Sequence, residues 1–370
     1  MKKIKGTGEI AAWKLDSPIE RWLAKCADKS ALGKKLYVQL YKIFDKEYYN
    51  KGLGFIEKNI NTFVGDISEE QKKEYIIDMV YSLHRFGCPF DEYFLFGYPT
   101  LNVKGREEFI TDKRRWEYYA KMNTEENKEI FNDKRKAYDT FGKYYKRELI
   151  EVQSDEDEEK FLDFLSRNSR FIVKPYNGSG GRGIFVADSA DYSDSKAMFA
   201  MLREKGHVVI EQLIRPAAEM AVFNASSVNT VRVPTLRLKD RVVVFEPFLR
   251  TGLGNAVVDN AASGGAFAPI DPETGMCTMA AVDEFGRKYL KHPKSGVVYP
   301  GFQIPKWKEA VAFVTELSEV LPDNHYVGWD IALTEDGWVM VEGNPRGQLV
   351  SQYATKKGCR KLLESYMSRM

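Results

Sequence analysis

The sequence predicts an α+β protein with a mostly helical first part, and three observations carry that reading. Helical periodicity runs from about residue 16 to 85. A glycine-rich loop at 178–183 lies between two apolar runs, Phe171-Ile172-Val173-Lys174 and Ile184-Phe185-Val186, as a strand–loop–strand unit. Beyond it, β-branched or alternating segments recur at Val208-Val209-Ile210, Val231 to Leu238, Val242 to Phe245 and Trp338 to Val341. At 370 residues the chain exceeds one ordinary core, so two or three domains or lobes are expected.

In the helical part, Trp22-Leu23, Leu36-Tyr37, Leu40-Tyr41 and Phe44 recur at helical spacing, followed by Ile76-Ile77, Met79-Val80 and Leu83. Ser68 with Gln71 ahead of the second run reads as a capping box. Gly87-Cys88-Pro89 and Gly97-Tyr98-Pro99 break the pattern, and Lys113 to Lys146 returns to charged, aromatic helix. The acidic run Asp155 to Glu159 suits a solvated helix start. Late in the chain, Trp307 to Leu321 reads as helix, entered after Pro305.

Composition excludes several classes. Hydrophobic content of 44% and charged content of 29% fit a soluble globular chain. A net charge of +2 gives no reason to expect a nucleic-acid or membrane partner. No apolar run approaches the ~20 residues of a membrane span, and no apolar segment follows the basic start as in a signal peptide. The cysteines Cys26, Cys88, Cys277 and Cys359 are scattered and are read as reduced thiols. The four histidines form no ligand-spaced pair. A cytoplasmic location is the simplest expectation.

The glycine loop carries the first chemical signal. A loop bare of side chains lets backbone N–H groups approach a phosphate, and Lys174 supplies a positive charge beside it. Gly178, Gly180 and Gly183 satisfy G-x-G-x-x-G, yet the loop leads into a strand where a dinucleotide fingerprint requires a helix. It ends Arg182-Gly183-Ile184 where a Walker A loop needs Gly-Lys-Ser/Thr. The protein-kinase tripeptides His-Arg-Asp and Asp-Phe-Gly are absent from the sequence. A glycine hairpin that binds nothing stays open as an alternative.

A second signal lies near the C-terminus. Glu335-Asp336-Gly337 suits a three-residue hairpin loop closed by a left-handed glycine. That register puts Thr334 opposite Trp338 and Asp330 opposite Glu342, with Ile331, Leu333, Val339 and Val341 on the other face. Two carboxylates across a ladder, Cβ atoms ~4.5–5.5 Å apart, repel each other. A hard divalent cation offsets the repulsion, and Asn344 offers a third oxygen on the same face. The alternative is a one-residue slip that leaves Asp330 as an ordinary surface charge.

The order of lysine, glycine hairpin, Ile210-Glu211-Gln212-Leu213-Ile214, Asp330 and Glu342-Gly343-Asn344 resembles the ATP-grasp superfamily. More closely, it resembles the sugar-transfer-associated and teichuronic-acid-type ATP-grasp proteins, over roughly residues 85–350. Asn132-Asp133-Lys134, Ser227 to Arg232, Asp259-Asn260 with Gly264-Gly265, Gly301 to Pro305 and Gly328-Trp329-Asp330 also carry the likeness. The resemblance implies an ATP-grasp fold, two α+β lobes gripping ATP, preceded by a mostly helical N-terminal region. The expected division is 1–107, 108–215 for the N-terminal part and small lobe, and 216–370 for the large lobe.

By that resemblance, Lys134 and Lys174 contact ATP phosphates, and Gly178, Ser179, Gly180, Gly181, Arg182 and Gly183 form a lid over them. Glu211, Gln212 and Leu213 meet the adenine edge, and Glu219 is a weaker candidate for the ribose hydroxyls. Asp330, Glu342 and Asn344 hold two Mg²⁺ ions, and Arg232 stabilises the transferred phosphoryl group, with Lys174, Arg250 and Arg346 as further catalytic candidates. Local sequence leaves plainer alternatives: a solvated Lys134, an Arg232 paired with an acidic neighbour, a Glu211 that merely ends a strand. The implied activity is an ATP- and Mg²⁺-dependent carboxylate–amine ligase working through an acyl phosphate. It would act on small-molecule acids and amines, and an amino acid joined to a sugar-derived partner is the suggested setting. A small-molecule kinase and a non-catalytic nucleotide-binding partner protein are the competing readings. No nucleic acid is expected, and a homodimer is compatible with the sequence.

Overall fold

The computed structural model describes residues 18–44, 46–176, 183–254 and 264–370, with side chains from Trp22 onward. The lid residues Gly178, Ser179, Gly180, Gly181 and Arg182, and the pair Asp259-Asn260, lie outside the described residues. The chain forms two compact units, Met1–Lys121 with Gln352–Ser368, and Met122–Ser351 with the last two residues.

The first unit is helical: α1 (Pro18–Cys26), α2 (Ala31–Phe44), α3 (Lys46–Phe63), α4 (Glu69–Phe86), the short α5 (Phe90–Leu95) and α6 (Val103–Glu107), and α7 (Asp112–Met122). The Ser68–Gln71 capping box forms, and Gly87 ends α4 in the left-handed conformation at φ 65°. Helices α1, α2 and α3 pack on α4, whose buried face holds Met79, Val80, Leu83 and Phe86. Inside this unit Arg106 pairs with Asp78 and also donates to the Tyr98 carbonyl and the Ser82 hydroxyl. The buried guanidinium thereby finds a partner on every side.

The second unit opens with α8 (Glu125–Asn132) and α9 (Lys134–Tyr145) and then builds two antiparallel sheets. The smaller has the order β1-β4-β2-β3, from Leu149–Val152, Val208–Gln212, Arg170–Pro175 and Phe185–Asp188. Helices α10 (Glu158–Arg167) and α11 (Ser195–Glu204) share a core with it, through Phe161, Phe164, Met198 and Leu202 against Phe171, Val173 and Ile210. Between β2 and β3 runs the glycine loop, as its sequence requires.

The larger sheet runs β10-β9-β8-β7-β5-β11-β12, with β6 paired to β5. Its strands are β5 (Val231–Arg237), β6 (Val242–Val244), β7 (Phe248–Gly252), β8 (Gly265–Pro269), β9 (Ala281–Val282), β10 (Lys288–Tyr289), β11 (Tyr326–Thr334) and β12 (Gly337–Asn344). A short α12 (Ala218–Ala221) precedes β5, and α13 (Trp307–Val320) covers the sheet through Ala310, Val314 and Leu317. The closing helices α14 (Ser351–Thr355) and α15 (Arg360–Met367) carry the chain back to the first unit.

The β11–β12 hairpin corrects one expectation and keeps another. Thr334 pairs with Gly337 and Leu333 with Trp338, so the loop has two residues, Glu335-Asp336, and Thr334 does not oppose Trp338. Continued unchanged, that register would set Asp330 against Val341. A β-bulge at Val341 intervenes, and Asp330 pairs with Glu342 after all. The same offset changes the core face: Ile331 and Leu333 share it with Trp338 and Met340, where Val339 and Val341 were expected.

Candidate active site

One rung of the large sheet sets the charges. Asp330 on β11 is the register partner of Arg232 on β5 and of Glu342 on β12, giving a cation–anion–anion row across three strands. Pairing puts the three side chains on one face, and the strands fix their spacing. Asp330 is buried and held by both Arg232 and Arg250: the Arg232 Nη2 and Arg250 Nη1 each donate to Oδ2 at 2.7 Å, and Arg232 Nε donates to Oδ1. Burial opposes its charge, yet the two guanidinium groups outweigh it and hold its carboxyl well below the ordinary range.

Glu342 behaves in the opposite way. Its side chain is exposed toward the cavity, yet the protein around it and the Asp330 carboxylate beside it both raise its pKa. The Asn344 amide donates to Glu342 at 3.1 Å and to Asp330 at 3.5 Å, gathering the three groups into one oxygen-rich cluster. Gly343 between them is required by packing. A Cβ there would lie 2.5 Å from the Phe131 ring, so only glycine lets β12 pass beneath α8.

The small sheet contributes a second charged cluster. Glu211 on β4 is buried and divided between two cations: Lys174 Nζ donates to Oε1 at 2.6 Å, and Arg147 donates to Oε2 through Nε at 3.0 Å and Nη2 at 2.8 Å. Burial pushes the carboxyl up, but Lys174 and Arg147 prevail and bring it down to about 2. Arg147 also donates to the Met340 carbonyl on β12 at 2.6 Å, so one guanidinium joins β4, which bears Glu211, to the strand bearing Glu342. Lys134, the first residue of α9, donates to the Tyr176 carbonyl at 2.9 Å where β2 enters the loop. Burial and the nearby Lys174 charge depress its pKa, while Glu342 and Glu211 act in the other direction.

These clusters share a cavity of about 690 Å³. Lys174, Glu211, Gln212, Leu213, Arg232, Arg250, Asp330, Glu342, Asn344 and Arg346 all line it. Ile172, Ile184, Val186, Leu213 and Ile214 give it an apolar wall. Six lining cations (Arg147, Arg170, Lys174, Arg232, Arg250, Arg346) face three carboxylates (Glu211, Asp330, Glu342), an excess that suits a polyanion.

Three of the candidates stand outside the cavity lining. Glu219 is exposed on α12 and is not among the lining residues, nor are Lys134 and Gly183. Gly183 closes the loop at φ 72°, where a Cβ would come within 2.9 Å of Pro175, so the turn needs glycine. Arg346 also reaches the exposed Glu125, at 3.5 Å. Sequence reasoning missed Arg147 altogether. Its one available signal was a carboxylate, Glu211, inside an apolar strand, which has to find a cation somewhere.

A model of the sugar-transfer associated ATP-grasp family matches residues 113–367. No curated protein matches the chain. Among solved structures, it is similar to the L-amino acid ligase from Bacillus licheniformis, with 15% identity over 65% of this chain and 49% of that one and a TM-score of 0.38. It is similar as well to the ATP-grasp ligase PsnB complexed with minimal precursor (13% identity, 67% and 63% covered, TM-score 0.41). The D-alanine-D-alanine ligase from Helicobacter pylori gives 12% identity, 65% and 59% covered, and a TM-score of 0.39. The chain thus spans about half of the first of these structures and about three fifths of the other two.

Proposed function

The chain belongs to the sugar-transfer associated ATP-grasp family, and from that premise we propose that it is an ATP- and Mg²⁺-dependent ligase joining a carboxylic acid to an amine. The observation that carries this reading is the cavity in which a cationic excess faces the Asp330–Glu342–Asn344 oxygen cluster. The donors fit a hard divalent cation: two carboxylates and an amide, with no sulfur or imidazole. Among the described residues no cluster of three or more His, Cys, Asp or Glu is arranged for a metal. Bound there, Mg²⁺ would neutralise charge on the nucleotide phosphates.

In this proposal Lys174 and Lys134 bind phosphate oxygens, and Glu211 holds Lys174 in place from behind. Residues 211–213 offer backbone groups to the base. Arg232 and Arg250, already fixed by Asp330, stabilise the equatorial oxygens of the phosphoryl group in flight. An acid oxygen attacks the γ-phosphorus, the bond to the β–γ bridging oxygen breaks, and ADP leaves. The amine then attacks the acyl carbon of the resulting acyl phosphate, the amine loses a proton, and inorganic phosphate departs. Acyl phosphates hydrolyse in water, so the loop at 178–183 is assigned the role of lid. The proposal keeps the division 1–107, 108–215 and 216–370, and it places the reaction in polysaccharide or natural-product biosynthesis.

The test is a screen of purified protein against mixed acids and amines, reading ADP and product mass. The proposal expects ADP release that requires both partners, and a hydroxamate when hydroxylamine replaces the amine. A phosphorylated product that accumulates without an amine would replace the ligase with a kinase. Nucleotide binding with no turnover across the panel would leave a binding protein.

A further inference from the structure

The overall charge of +2 conceals an uneven distribution. Residues 1–46 hold eleven Lys and Arg against five Asp and Glu, a local +6, so the remaining residues carry −4. Within the described part of that segment, α2 is amphipathic in an unusual sense. Its buried side, with Tyr37 and Val38, faces the first unit, yet its outer side is also apolar. Leu32 is 65% exposed, Leu36 57%, Ile43 73% and Phe44 84%, and Leu40 is exposed with them.

At about 100° per residue these five side chains fall within an arc of about 120°. Gln39, Lys35 and Lys42, all exposed, border that arc on one side. Helix α1 packs on the same helix α4 as α2 does and adds exposed Trp22 and Leu23, with Lys25 and Lys29 beside them. Among the described side chains of residues 22–44 the one carboxylate, Asp28, is turned inward to Arg85. An apolar stripe with an aromatic residue and a rim of lysines is the pattern of a helix lying in the plane of a bilayer surface. Among the described residues no helix is long and apolar enough to cross a membrane, and α2, about 21 Å long, is far too short.

We infer that the outer face of α1 and α2 binds an anionic lipid surface, with Trp22, Leu32, Leu36, Ile43 and Phe44 entering the interfacial layer and the lysines meeting the headgroups. Charge complementarity decides the occupant. A second copy would bring two basic faces together, whereas anionic headgroups attract each lysine. The inference does not depend on the ligase reading, because it concerns the first unit alone.

Full-length protein is sedimented with phosphatidylcholine vesicles containing about 30% phosphatidylserine, and with phosphatidylcholine alone. Partitioning about tenfold stronger onto the anionic vesicles is expected, weakening several-fold between about 50 and 300 mM salt. The Leu36→Glu/Leu40→Glu variant should lose at least about tenfold of that binding while keeping the wild-type nucleotide affinity. A second variant, Lys35→Glu/Lys42→Glu, changes only exposed charges, so a loss there cannot arise from a damaged core. Absence of sedimentation with the anionic vesicles would overturn the inference, and so would undiminished binding by both variants. A dimer in light scattering that Leu36→Glu/Leu40→Glu dissociates, without vesicle binding, would assign the face to a second copy instead.

Discussion

Glu211→Gln separates the two roles of the buried cluster. At neutral pH the wild-type carboxylate serves Lys174 and Arg147 at once, and its pKa is about 2 against an ordinary 4.5. A difference of that size corresponds to about 3 kcal/mol of stability. Because the folded-state pKa is the lower one, that stability is complete above about pH 4.5 and disappears as pH falls through about 2. Applying the linkage relation, about 1.4 kcal/mol is gone by pH 3.5. The glutamine variant lacks this titration and leaves the buried Arg147 and the half-buried Lys174 facing a neutral amide, a loss of about 3–5 kcal/mol at pH 7. Urea unfolding of both proteins, followed by near-ultraviolet circular dichroism at pH 7 and pH 3.5, measures the difference. The gap between them should narrow by about 1.4 kcal/mol on acidification. A gap that stays constant, or one below about 1 kcal/mol at pH 7, would refute the reasoning.

Three further substitutions probe the larger sheet. Glu342→Gln should cut ADP release by at least about a hundredfold while leaving the melting temperature nearly unchanged, since Glu342 faces the cavity; full activity would remove it from the metal set. Asp330→Asn deprives both Arg232 and Arg250 of their buried carboxylate, so a stability loss of about 3–5 kcal/mol should accompany the loss of activity in thermal unfolding. Gly343→Ala drives a methyl group into the Phe131 ring, and calorimetry should record about 1–3 kcal/mol lost together with weaker nucleotide binding.

Local signals in this chain were legible, and long-range pairings were not. Periodicity gave the helices to residue 86, and the glycine loop with its two apolar flanks gave β2 and β3, because each pattern is complete within a few residues. The β11–β12 hairpin marks the boundary between the two cases. The turn was read one residue too long, and an extra residue in β12 cancelled the error, so Asp330 meets Glu342 by a route the sequence does not display. A bulge leaves no trace in an alternating pattern short enough to tolerate one defect. Arg147 lies wholly beyond local reading: it is 64 residues from Glu211 and 193 from the Met340 carbonyl. What the sequence did contain was the other half of the pair. Val208-Val209-Ile210-Glu211 puts a carboxylate where apolar side chains belong, and a buried charge requires a partner. Lys174, one strand away, meets only part of that requirement. A carboxylate has two oxygens, and when one is taken by Lys174 the second still needs a cation or a hydrogen-bond donor. Counting acceptors on Glu211, rather than charges, calls for a second donor from the sequence alone.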